Sequence, residues 1–382
     1  MIQYATQFIP DQDINYFKQI LQKKFLTQGP IVEKFEKKIR NICNDVKYSV
    51  SVNSASSGLH LSCKVLNLKK NDIVWTTPNT FAATANAAIH CDCIIDFVDI
   101  ELNSFNLSVD ALEKKLIKSK KIKKLPKALI VVHFAGNPCD MFQIKKFSKI
   151  YKFKIIEDAS HALGARYKNS KVGDCKYSDL TVFSFHPVKI ITTAEGGMIT
   201  TNNKQYYERL KMFRTNGITR KISKKANMPS WYYEQQTIGY NYRMNEIQSA
   251  LGIAQLRNLK NWIKVRNNIA VEYIKKLHNF SLKLPFVDKD KISSYHLFVV
   301  LLKNHKKINQ LFEFLKKKKI SCNLHYIPLY RHPYYKKNNF NFNDFPNTEY
   351  YYERAISLPM HVQLNSLKIN FITKNIINFL RK

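Results

Sequence analysis

Between about residues 30 and 205, short apolar runs alternate with longer stretches whose apolar positions recur at helical spacing. The runs at 48–52 (YSVSV), 73–77 (IVWTT), 94–98 (IIDFV), 128–132 (ALIVV), 154–157 (KIIE) and 180–184 (LTVFS) have the length and composition of strands. Strands separated by helices predict an α/β domain on a largely parallel sheet, whose ligands gather beyond the carboxyl ends of the strands. The stretch 245–276 (NEIQSALGIAQLRNLKNWIKVRNNIAVEYIKK) is periodic throughout and free of proline, which predicts one long helix leading to a second domain. Strand-like 295–302 (YHLFVVLL), a helix near 306–318 and strand-like 320–326 (ISCNLHY) predict a smaller α+β domain. The expected division is thus 1–255 and 256–382. Residues 330–353, rich in Tyr, Asn and Phe with two prolines, read as a surface loop followed by a helix rather than a base-stacking platform.

At 382 residues the chain can bury a sizeable core, and its 45% hydrophobic content argues against wholesale disorder. No apolar run approaches the roughly 20 residues that span a bilayer, and the N-terminus (MIQYATQFIPDQDINYF) lacks the pattern of a signal peptide. Seven scattered cysteines, with Cys91 and Cys93 too close for the usual zinc spacing, fit a reduced, cytoplasmic setting and no metal site. The formal charge of +34 changes the picture most. It invites a nucleic-acid partner, but the lysines are dispersed, with local runs near 120–124 and 316–319, and read as a solvated basic surface. Such a surface also attracts an acidic substrate, for example a sugar nucleotide. Only ten glycines occur, so each more readily marks a place where a side chain cannot fit.

Four segments carry candidate chemistry. Lys189 closes the run SFHPVK after the strand at 180–184 and precedes IITTAEGG, an apolar and hydroxyl-rich setting where a solvated lysine is not expected. Desolvation disfavours an ammonium, and a neutral amine can attack an aldehyde. Asp158 ends the strand of KIIEDASHALGA, where a carboxylate could keep a pyridine nitrogen protonated, or could simply cap a helix. His161 lies three residues on. NSASSGLH (53–60) follows a strand with small hydroxyl residues at a helix start, a ready phosphate site and equally an ordinary cap. Phe81, in TPNTFAATANA, could stack on a planar ligand or pack in the core.

Taken in order with LTQGP (26–30), GYNYRMNEIQSALGIAQL (239–256), HYIPLY (325–330) and ISLPMH (356–361), these segments resemble the DegT/DnrJ/EryC1/StrS sugar aminotransferases almost end to end. That resemblance implies a three-layer fold-type I large domain of α/β class and pyridoxal 5′-phosphate as cofactor. Lys189 would hold the cofactor as a Schiff base, Asp158 would pair with its ring nitrogen, His161 would lie near the ring and Phe81 on its face. Ala55, Ser56 and Ser184 would hold the phosphate, with Asn241 reaching it from the partner subunit of a homodimer. Lys24, Phe25, Leu26 and Thr27, and His325, Tyr326, Ile327 and Pro328, are implied substrate contacts. Within the family, ASHALG, TTAEGG and NEIQSALG look most like the subgroup that aminates the C4 ketone of a UDP-linked 6-deoxy sugar for pseudaminic acid. L-Glutamate is the implied donor, and perosamine- or bacillosamine-type sugars are the implied alternative acceptors. Family members that dehydrate the sugar carry histidine in place of the lysine. Three positions depart from the subgroup: Thr6 for an aromatic, Gly58 for a larger residue and Pro187 for a small apolar one.

Overall fold

In the computed structural model, which describes residues 1–22, 25–219, 228–229 and 231–381, the apolar runs become strands of one seven-stranded sheet. They are β1 (Tyr48–Val52), β2 (Ile73–Thr76), β3 (Ile94–Phe97), β4 (Ala128–Val132), β5 (Lys154–Asp158) and β6 (Leu180–Ser184). The seventh, β7 (Gly197–Thr201), has no counterpart in the sequence reading. It is led by glycine and buried at all five positions, so it shows no alternation to detect. The spatial order is β1-β7-β6-β5-β4-β2-β3. Neighbours from β6 to β3 pair in parallel, while β7 runs antiparallel to both β6 and β1.

Alternation along β4 shows how the layers form. Ala128 and Ile130 face a core shared with α3 (Ala55–Val65), α4 (Ala82–Ile89) and α7 (Lys204–Arg214). Leu129 and Val131 face the other side, with α5 (Val109–Lys121) and α6 (Met141–Tyr151). Burying a side chain the size of Leu129, Ile130 or Val131 stabilises the fold by about 1.5–3 kcal/mol. Side-chain caps start several of the helices: Ser54 accepts the Ser57 N–H before α3, and Asp140 that of Gln143 before α6. In front of this layer lie α1 (Asp11–Leu21) and α2 (Pro30–Ile42).

The expected long helix is instead two, α8 (Glu246–Leu256) and α9 (Leu259–Leu277). The Arg257 and Asn258 N–H groups bond three residues back, to Ala254 and Gln255, which tightens the turn and ends α8 without proline or glycine. A second sheet of β8 (Leu282–Lys283), β9 (Phe298–Leu302) and β10 (Ala355–Leu358) is antiparallel. Its core includes α9, α10 (Ile308–Lys317) and α12 (Ser366–Leu380). Residues 320–326 form no strand, only single bridges from Ile320 to Ile2 and from Asn323 to Ser357. The 330–353 loop does end in a helix, α11 (Pro346–Tyr352), but it is not merely surface: Tyr330, Tyr335, Phe340 and Phe345 enclose Phe97, with ring centroids 5.0–6.4 Å away. No helix among the described residues is long and apolar enough to cross a membrane.

Gly197 leads β7 where a Cβ would meet the backbone of Ser54 and Ala55 at 2.7 Å. Backbone cannot yield as a flexible side chain can. Gly197→Ala is therefore expected to lower stability by about 1–3 kcal/mol and to push the start of α3 outward. Urea unfolding of the two proteins checks it.

Candidate active site

The strand ends supply the site. Asp158 is the last residue of β5, Ser184 the last of β6, and α3 starts just after β1. They open onto a cavity of about 390 Å³ whose wall includes Ala55, Ser56, Phe81, Asp158, His161 and Ser184. Lys189, His325 and Tyr326 line it as well. Nine of the sequence-derived candidates thus meet in one place.

Lys189 is reached by the turn after β6, closed by its N–H donating to the His186 carbonyl at 2.9 Å. Open to the cavity and otherwise enclosed, its amine is lowered to about 8 by burial, with the Asp158 carboxylate partly offsetting the shift. Among the described residues, no other lysine and no arginine lines the cavity. Asp158 is buried and firmly held. One carboxylate oxygen accepts the Thr84 hydroxyl at 2.7 Å, and the other accepts the Ser160 hydroxyl at 2.6 Å and N–H at 3.1 Å.

His161 is buried, 3.2 Å from the Tyr326 hydroxyl through Nε2 and 4.4 Å ring-to-ring from His296. Burial, then the nearby positive charge of Lys189, holds it well below the usual imidazole range, so it is neutral. His325, which shares a hydrogen bond with Ser357 through Nδ1 at 2.8 Å, is lowered to about 4 for the same two reasons. Lys189 therefore shares the cavity with the neutral rings of His161 and His325. Phe81 is 61% exposed at the N-cap of α4, its ring presented to the cavity rather than to the core.

The residues fit pyridoxal phosphate. At the start of α3, the Ala55 and Ser56 N–H groups have no acceptor among the described residues, and Ser184 adds a hydroxyl, together making an anion-binding corner. His161 Nδ1 is buried and likewise without a partner among the described residues. Lys189 would supply an amine for the aldehyde, Asp158 an acceptor for the ring nitrogen and Phe81 a flat face.

Other candidates lie elsewhere. Asn241 is exposed beside Thr215, its carbonyl accepting from Asn53 Nδ2 at 3.4 Å, and does not line this chain's cavity. Phe25, Leu26 and Thr27 are exposed and off the wall, while Lys24 lies outside the described residues. Ile327 is exposed and Pro328 buried, neither on the wall. Residues missed by the sequence reading include Tyr4, Thr84, Ser160 and His296. Tyr4 arrives on the N-terminal arm, its carbonyl accepting the Met360 N–H at 2.9 Å, and puts an aromatic into the cavity that Thr6 does not supply. Nothing periodic in the arm announces it. His296 did leave a signal, a lone imidazole inside the apolar run YHLFVVLL. Gly58 has a packing reason: a Cβ would lie 2.8 Å from Val182 of β6.

Residues 7–377 match the DegT/DnrJ/EryC1/StrS aminotransferase family. A UDP-4-amino-4,6-dideoxy-N-acetyl-β-L-altrosamine transaminase of Campylobacter jejuni is 38% identical over 389 residues, covering 100% of this chain and 98% of that protein. The solved structure of Helicobacter pylori PseC, an aminotransferase involved in pseudaminic acid biosynthesis, superposes with a TM-score of 0.90 at 30% identity, covering 100% of this chain and 99% of that one. A putative sugar aminotransferase of Streptococcus pneumoniae, solved in its pyridoxamine-phosphate form, gives 0.91 at 25% identity, with coverage of 100% and 99%. The chain belongs to the DegT/DnrJ/EryC1/StrS aminotransferases and is a sugar aminotransferase dependent on pyridoxal phosphate.

Proposed function

We propose that this enzyme aminates the C4 ketone of a UDP-linked 2-acetamido-2,6-dideoxy-hexos-4-ulose, with L-glutamate as donor, giving UDP-4-amino-4,6-dideoxy-N-acetyl-β-L-altrosamine for pseudaminic acid synthesis. The observation that carries the reading is Lys189, a lone amine lowered to about 8 and set in one cavity with Asp158. The Campylobacter and Helicobacter relatives, matched along nearly their whole lengths, support the choice of sugar.

When bound, pyridoxal phosphate supplies an aldehyde that takes up amines and a ring that accepts the electron pair released at the donor's α-carbon. In this proposal Lys189 anchors the cofactor, and its Nζ, once free, takes a proton from the donor α-carbon and later returns one. An amine lowered to about 8 suits both directions near neutral pH. Asp158 would accept from the ring nitrogen, His161 would lie near the ring and Phe81 would stack on its face. Ala55, Ser56 and Ser184 would hold the phosphate. Asn241, Lys24 and the exposed Phe25–Leu26–Thr27 loop serve the cavity of a second copy in a homodimer. His325 and Tyr326 bound the acceptor's place, with Ile327 and Pro328 shaping the turn behind them.

Only the uncharged amine attacks an aldehyde, so cofactor attachment accelerates as pH rises through the folded value. Borohydride trapping is expected to label Lys189 with a pH midpoint near 8, read by peptide mass mapping; a label on another lysine overturns the assignment. Lys189→Ala should lose steady-state turnover by a factor of about 10²–10⁴ or more, and retained turnover rejects its role. Across UDP-, dTDP- and GDP-linked 4-keto-6-deoxy sugars, kcat/KM should be highest for the UDP-linked 2-acetamido sugar. A higher value for another nucleotide reassigns the acceptor.

A further inference from the structure

Asp158 and Thr84 lie 74 residues apart in the chain, one ending β5 and the other in the first turn of α4. Thr84 is fully buried, and its Oγ1 lies 2.7 Å from Asp158 Oδ2. Thr80 Oγ1 lies 2.8 Å from the same hydroxyl. A carboxylate can only accept, so Thr84 donates to Asp158. Its oxygen then accepts from Thr80, and the chain of hydroxyls runs one way, Thr80 to Thr84 to Asp158. Hydrogen bonds to a charged acceptor are roughly twice as strong as neutral ones.

The two ties on Asp158 differ in kind. Ser160, two residues on, bonds the other oxygen through its hydroxyl and N–H and moves with the strand end that carries Asp158. Thr84 belongs to a different layer. Its helix begins just after Phe81, which lines the same cavity. The Thr84 hydroxyl therefore links the acceptor for a ring nitrogen to the element that presents a ring face.

We infer that Thr84 is a positioning residue for transamination: with Thr80 behind it, its hydroxyl fixes the plane of the Asp158 carboxylate relative to Phe81, and so the seat of the cofactor ring. The inference rests on the assignment of Asp158 proposed above.

The test compares Thr84→Val, which keeps the shape and removes the hydroxyl, with Thr84→Ser, which keeps the hydroxyl. Loss of a hydrogen bond to a charged group corresponds to a change on the order of tenfold. Thr84→Val is expected to bind pyridoxal phosphate about tenfold more weakly, to lose kcat by a similar factor with the donor KM unchanged, and to alter the circular dichroism of the bound cofactor. Thr84→Ser is expected to restore all three. Wild-type affinity, dichroism and kcat in Thr84→Val, with borohydride still labelling Lys189, overturn the inference and leave the proposed function standing. Failure of Ser to rescue overturns it too, since shape rather than the hydroxyl would then matter. If wild-type Lys189 is not labelled at all, the underlying reading fails first. Should Thr84→Val not fold, Thr80→Val interrupts the chain one step back; a weakened cofactor affinity of about threefold supports the inference, and an unchanged one overturns it.

Discussion

One amine, enclosed on every side but the cavity it shares with the carboxylate of Asp158, governs this molecule. Burial alone drives Lys189 toward its neutral form, and Asp158 pulls it back toward the charged one, leaving it near 8. A lysine on the outside of this chain has no such conflict. The rest of the cavity keeps the balance undisturbed, because the histidines that face Lys189 are themselves held neutral by burial. Although the chain has a formal charge of +34, no other lysine and no arginine among the described residues lines the cavity that holds Lys189.

The backbone arrangement follows from that requirement. Parallel strands β4, β5 and β6 deliver their ends to one side, and β7 returns antiparallel between β6 and β1. The loop from β6 to β7 carries Lys189 across the mouth of the site, and Gly197 lets β7 approach the start of α3. The amine is therefore carried on a hairpin whose base, the Ser184–Gly197 pair, packs on the helix start that offers the anion-binding corner. Small residues at that crossing serve chemistry indirectly, by letting backbone meet backbone.

Local pattern made most of this architecture legible. Six of the seven strands lie where the apolar runs are, and Asp158 could be put at a strand end from KIIED alone. What local pattern could not reveal were contacts made at a distance. Tyr4 reaches the cavity because Ile2 pairs with Ile320, and Thr84 reaches Asp158 across two layers. The break between α8 and α9 uses backbone bonds and no special residue, so periodicity ran straight through it. The aromatic stretch at 330–353 looked like surface because its partner, Phe97, belongs to a strand more than two hundred residues earlier.

The loop before α2 illustrates a different economy. Glu246, almost fully buried at the start of α8, accepts the N–H groups of Gly29, Ile31 and Val32 at 3.0, 2.8 and 3.2 Å. A carboxylate removed from water is stable there because the helix start and the loop offer it donors. In return, the exposed segment beside it has its path fixed when the chain folds. A surface that met Phe25 and Leu26 would meet a shape already made, so the entropy of ordering that segment would fall on folding and not on association.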